Sequence, residues 1–167
     1  MTVDSFSASV AEKEIFLTYE GLKKLETELE YLRGEKRREI AERMKQAKSH
    51  GDLSENSEYD EARLEHVMVE ARIAEFENKL KNARIIDDDD VSTEQVSIGS
   101  KVRLLDIEFN QETDYRIVGS TEANPSEKKI SNESPVGRAL IGHKAGETVD
   151  VQTPNGVLKF KILDISK

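Results

Sequence analysis

The chain has 167 residues, of which 35% are charged and 36% hydrophobic, and its formal net charge is −9. That leaves too little apolar material for one large compact core, so part of the molecule is expected to be elongated. The absence of Cys excludes disulfides, thiolate zinc sites and cysteine nucleophiles. With no Trp and only 5% aromatic residues, a base-stacking surface is poorly supplied. The acidic balance argues against autonomous binding to a phosphate backbone, so any nucleic-acid role should be local or act through a partner.

The first residues, "MTVDSFSASVAEKE", lack a basic start and a sustained apolar stretch. No later run approaches the roughly 18 apolar residues of a membrane span, which predicts a cytoplasmic protein with a frayed N-terminus and no membrane partner. From Thr18 to about Ser49 the chain is rich in Glu, Lys, Arg, Leu and Ala, and Gly34 is an interior weak point in a predicted long helix. Thr18 suits its N-cap. Leu22, Leu25, Leu29 and Leu32 form an apolar stripe, which Ile40, Met44 and Ala47 resume after a slip in phase. A second helix carries Tyr59, Ala62, His66, Val69, Ile73, Phe76, Leu80 and Ala83 at alternating spacings of three and four, the seam of a coiled coil. Each helix would be roughly 45 Å long at about 1.5 Å per residue. A short turn must fold the two back antiparallel, so residues 1–86 are expected to form a helical hairpin with its tip at 49–58.

Four consecutive aspartates at 87–90 repel one another, and residues 87–95 are read as a solvated acidic linker rather than a metal site. Beyond them the period changes to two: Val102 and Leu104, Tyr115 and Ile117, Val149 and Val151, then Leu158, Phe160 and Ile162 alternate as half-buried strands. "TPNG" at 153–156 is a hairpin turn. In "ESPVGRALIGHKAGE", Ser134 suits a cap, Pro135 the first helical position and Gly142 the stop. Residues 96–167 are therefore expected to form a small antiparallel α+β domain with one short helix, used for docking because no nucleophile stands beside a base.

The tip carries two competing meanings. Asp52-Leu-Ser-Glu55 fits the capping-box spacing, and Ser54 or Asn56 could cap instead. Yet acids at an exposed end far from any core stand where function tends to reside. Behind them, residues 33–48 hold seven basic residues (Arg33, Lys36, Arg37, Arg38, Arg43, Lys45 and Lys48) against Glu35, Glu39 and Glu42. A basic flank before an acidic tip fits a partner with phosphates beside a metal; a solvated face with intrahelical pairs such as Glu39–Arg43 is the competing account.

"GDLSENSEY" at 51–59 between two long helices, followed by "SPVGRALIG" at 134–142, closely resembles the bacterial Gre family of transcript-cleavage and elongation factors, GreA type. The resemblance covers nearly the whole chain and implies a coiled-coil hairpin, a linker and an FKBP-like C-terminal domain. It implies that the C-terminal domain docks on RNA polymerase and that the hairpin enters the secondary channel, where the tip stimulates the polymerase's own Mg²⁺-dependent cleavage of backtracked RNA. Asp52 and Glu55 match the family's two essential acids, which share Mg²⁺ with the polymerase site. Lys48 and Arg63 match a basic pair that contacts the extruded RNA 3′ end. The expected factor is monomeric, is not an enzyme by itself and binds no cofactor alone. Alternatives of other classes are a channel-blocking inhibitor of the same architecture, a structural coiled coil, and an isomerase or chaperone. The last needs an aromatic-lined pocket, for which Tyr115, Phe109 and Phe160 are few.

Overall fold

The computed structural model describes residues 14–51 and 56–167. Residues 1–13, and with them the expected frayed N-terminus, lie outside the described residues. The described chain begins with strand β1 (Ile15–Thr18), which runs directly into helix α1 (Tyr19–Tyr31). Thr18 caps that helix as expected, its hydroxyl oxygen accepting the Gly21 N–H at 3.1 Å.

The predicted weak point is a single π-helical turn, Leu32–Lys36, with Gly34 at its centre, and α2 (Arg37–Ser49) continues beyond it. The turn explains the phase slip. Leu32 and Ile40 are eight positions apart, one more than two turns of a coiled-coil seam, and a π-turn absorbs one extra residue. Ile40 thereby returns to the seam and is fully buried.

Helix α3 (Ser57–Lys81) folds back along α1 and α2. Leu29 and Ile40 meet Val69, Ile73 and Phe76 in one buried cluster, flanked by Leu25, Leu32, Met44 and Leu80. Cross-hairpin ion pairs confirm the direction. Arg33 bonds Glu77, Arg37 bonds Glu70, and Arg43 bonds Glu65, so partners descend along α3 as the first helix advances. His66, a polar residue in the seam pattern read as a partly exposed histidine, is exposed and lies 3.8 Å from Glu70. One predicted seam residue differs. Ala83 belongs to strand β2 (Ala83–Ile86), because α3 has already ended at Lys81.

Strands β1 and β2 pair in parallel, Ile15 opposite Ala83 and Thr18 opposite Ile86. This pair closes the base of the hairpin and was not legible as strands, since each has only four residues and no clear alternation. The run of aspartates forms a short 3₁₀ turn, Asp88–Asp90, whose side chains are exposed. Val91 and Val96 just beyond it are buried.

The second unit is a five-stranded sheet in the order β5-β4-β3-β7-β6: β3 (Lys101–Asp106), β4 (Gln111–Val118), β5 (Lys129–Ser131), β6 (Thr148–Thr153) and β7 (Gly156–Ser166). The four predicted strands are present and pair antiparallel with one another. The expectation of a purely antiparallel sheet is corrected by β5, which pairs parallel to β4. Helix α4 (Pro135–Leu140) packs against β6 and β5, with Ser134 accepting the Gly137 N–H at 3.0 Å. A Cβ on Gly137 would lie 2.0 Å from the Ser131 carbonyl oxygen, so only glycine allows that approach. Val102, Leu104, Ile117, Leu140 and Ile162 form the centre of the core. The chain is thus a helical hairpin joined to an α+β sheet unit.

The π-turn supplies a direct test. Deleting Gly34 turns the eight-residue gap into seven, so the shortened helix keeps Ile40, Met44 and Ala47 on the seam and the protein retains a cooperative thermal transition. Deleting Glu42 instead displaces Met44 and Ala47 and should lower the melting temperature by more than about 5 °C, the order expected when ~1 kcal/mol or more is lost in a domain of this size. Circular dichroism melts of the two deletions compare them.

Candidate functional site at the hairpin end

Helix α2 ends at Ser49, and the His50 N–H closes the last turn on the Ala47 carbonyl at 3.3 Å. Gly51 follows at φ 145°, a conformation that side-chain-bearing residues rarely adopt. The chain resumes at Asn56, which caps α3: its Oδ1 accepts the Tyr59 N–H at 3.2 Å. The same amide donates from Nδ2 to the Ala47 carbonyl at 2.6 Å. One side chain therefore starts α3 and ties it to the last turn of α2, where it satisfies a helix-end carbonyl. Ala47 and Ala62 are both buried at this end.

Asp52 and Glu55 lie outside the described residues. The described neighbours nevertheless settle how α3 begins. With Asn56 as N-cap and Ser57 as the first helical residue, a capping box at Asp52 and Glu55 is not what starts the helix. Of the capping residues weighed from sequence, Asn56 is the one used.

Lys48 lies with its Nζ 5.5 Å from the centroid of the half-buried Tyr59 ring, within cation–π range. Arg63 is exposed, one turn along α3 from Tyr59 and so on the same side of that helix. The two predicted basic residues therefore stand on opposite helices near the hairpin end, Lys48 against Tyr59 and Arg63 one turn beyond it. Sequence reasoning missed Tyr59 as the partner of Lys48, and missed the bridging role of Asn56; Tyr59 was read only as a seam position.

The basic run is largely consumed inside the hairpin. Arg33, Lys36, Arg37 and Arg43 all pair with carboxylates, and the competing Glu39–Arg43 pair is replaced by Lys36–Glu39 and Arg43–Glu65. Arg37 and Glu70 form a two-pronged fork at 2.7 and 2.6 Å. Glu65 is held below its ordinary pKa by Lys36 first and also by Arg43, and Glu70 by Arg37. Arg38 and Lys45 are exposed without an ion-pair partner among the described residues. The basic flank is thus reduced to these two plus Lys48 and Arg63. Among the described residues no group of three or more His, Asp or Glu could hold a metal ion, and no helix is long and apolar enough to cross a membrane.

Comparison with known proteins agrees with both halves. The model of the N-terminal domain of transcription elongation factors matches residues 15–85, and that of the GreA/GreB C-terminal domain matches residues 91–167. Transcription elongation factor GreA of Acetivibrio thermocellus is 64% identical over 155 residues, 93% of this chain and 98% of that protein. GreA of Caldanaerobacter subterraneus subsp. tengcongensis is 57% identical over 93% of this chain and 99% of its own. Among solved structures, Gfh1 of Thermus thermophilus is 31% identical, covering 93% of this chain and 100% of that chain at a TM-score of 0.42. The class so defined is a transcription elongation factor built from a helical hairpin and an α+β unit. The chain belongs to the GreA/GreB family.

Two outcomes follow from the geometry. Asn56→Ala removes a cap and a cross-hairpin bond, with a loss of about 1–2 kcal/mol confined to the hairpin end; amide exchange of Tyr59 should accelerate while that of Ile73 does not change. In acid, Glu65 and Glu70 have folded pKa values below that of an ordinary glutamate, so their contribution is complete above the ordinary value and disappears as pH falls through the lowered values. Melting temperature should therefore drop on acidification from pH 5 to 3, and Glu70→Gln should flatten the drop.

Proposed function

We propose that the chain acts as a monomer on bacterial RNA polymerase and stimulates the polymerase's own cleavage of backtracked RNA, with Asp52 and Glu55 as its working acids. The observation that carries the reading is Asn56: because it starts α3, the two acids in the turn between α2 and α3 are not required as a capping box. In this account residues 1–86 reach into the polymerase, residues 87–95 connect, and residues 96–167 dock.

Two carboxylates suit Mg²⁺, a hard cation that takes oxygen ligands and is often held by only one or two protein carboxylates. When bound, the ion supplies a more acidic water and neutralises developing charge on the phosphate. Asp52 and Glu55 would supply oxygen ligands to it and orient or deprotonate the attacking water. Two carboxylates alone cannot complete an octahedron, so the remaining ligands must come from the polymerase and the RNA. Lys48, beside Tyr59, and Arg63 on the facing helix would neutralise phosphates of the extruded RNA 3′ segment. In this account the ion-paired hairpin would carry this set at the end of a stiff rod.

Asp52→Asn and Glu55→Gln should each bind polymerase as well as the wild type yet lose about 10²-fold or more of factor-stimulated cleavage in arrested complexes. The purified chain without polymerase should leave RNA intact in Mg²⁺. Full cleavage stimulation by either variant would remove the acids from the chemistry.

A further inference from the structure

The shortest side-chain bonds between the base of the hairpin and the sheet unit come from Glu122. Glu122 follows β4 in a tight turn, its own N–H bonded to the Gly119 carbonyl at 3.0 Å. Its carboxylate accepts two hydrogen bonds from Thr18, the backbone N–H at 2.7 Å and the hydroxyl at 2.5 Å. Thr18 is 5% exposed, ends β1, caps α1 and at the same time accepts the Gly21 N–H. A relay therefore runs from the first turn of the rod through Thr18 to a carboxylate on the other unit, 104 positions away in sequence. Negative charge at a helix N-terminus is favoured by the helix dipole.

Two glycines make the approach possible. A Cβ on Gly21 would lie 2.1 Å from Glu122 Oε1, and one on Gly119 would lie 1.8 Å from the Phe16 carbonyl oxygen. The other contacts at the joint are looser. Glu20 reaches Arg116 at 3.8 Å and Lys129 at 3.6 Å with half its side chain exposed, a class of ion pair that fixes direction weakly. The Glu122 bonds are short, charge-assisted and paired, and so define an orientation.

We propose that Glu122 is a positioning residue for transcript cleavage: it clamps the base of the hairpin to the sheet unit and so fixes where the hairpin end arrives. The proposal rests on the function given above. Its force comes from leverage: on a rod of roughly 45 Å, a swing of about 5° at the base moves the far end by about 4 Å, whereas misplacement by about 1 Å already costs about 10²-fold in rate. A clamp at the base therefore acts on chemistry at the other end without touching it.

The chain has no Cys, so Glu42→Cys and Asp150→Cys, both at exposed positions, allow paired spin labels on hairpin and sheet. In the free protein, Glu122→Ala should widen the interlabel distance distribution at least twofold. In unlabelled protein the same change should lower the cleavage rate at saturating factor at least tenfold, with polymerase affinity within about threefold. Glu122→Gln should restore both, because its amide oxygen can accept the Thr18 N–H while its amide N–H donates to the Thr18 hydroxyl oxygen. An unchanged distribution in Glu122→Ala overturns the proposal, as does equal broadening by Glu20→Ala. If wild-type protein stimulates no cleavage, the proposed function fails, and the distance measurement still judges the clamp. A thermal melt within a few degrees of wild type excludes general unfolding as the cause.

Discussion

The structure depends on one narrow seam, where Leu29 and Ile40 of the first helical path meet Val69, Ile73 and Phe76 of α3. Helices that are mostly charged on their remaining faces gain their stability from such a stripe rather than from intrinsic propensity. The stripe has to stay in phase for the whole length of the hairpin, and the π-turn at Leu32–Lys36 keeps it so by absorbing an extra residue. Without that turn, the distal half of α2 would present charged residues to α3. The features at the far end, including the Asn56 bridge and the Lys48–Tyr59 contact, presuppose this correction of phase.

The ion pairs along the seam serve a different purpose from the apolar contacts. Exposed pairs add little stability, but a ladder in which Arg33, Arg37 and Arg43 meet Glu77, Glu70 and Glu65 is satisfied in one antiparallel register. Slippage would set these groups against the wrong partners, so the ladder selects register while burial supplies the energy. One consequence concerns function. Most charges that would otherwise attract phosphate along the first helical path are internally neutralised, and of the basic residues without an ion-pair partner among the described residues, Arg38 lies on α2's first turn while Lys45, Lys48 and Arg63 lie toward the hairpin end. A strongly acidic chain can then present unpaired positive charge toward the hairpin end.

Stiffness at the seam would be of little use without a firm base. The parallel pair of β1 and β2 ties the two ends of the hairpin together, and the Thr18–Glu122 contact joins that base to the sheet through short charge-assisted bonds. The sheet unit has its own core around Leu104, Ile117 and Ile162, so the joint links two separately packed bodies. Small errors at the joint are multiplied by the length of the rod, which is why a few bonds there matter more than their number implies.

Much of this was determined by the sequence alone. Periods of three and four in Val69, Ile73 and Phe76, and of two in Val102 and Leu104, are local consequences of helix and strand geometry, and they marked the hairpin and four of the sheet's strands. Thr18, Ser134 and Pro135 were legible as helix-start signals because each acts within three or four residues. The motif around Asp52 and Glu55 likewise announced the family, although whether those acids cap or catalyse was ambiguous at the level of spacing. Tertiary structure decided that Asn56 is the cap, because its second bond goes to Ala47 on the other helix. It also decided that most of the basic run is neutralised, that the four-residue strands β1 and β2 pair, and that Glu122 meets Thr18. The reason is common to all of these: each joins groups from different elements, and no local period records which distant partner a side chain will meet.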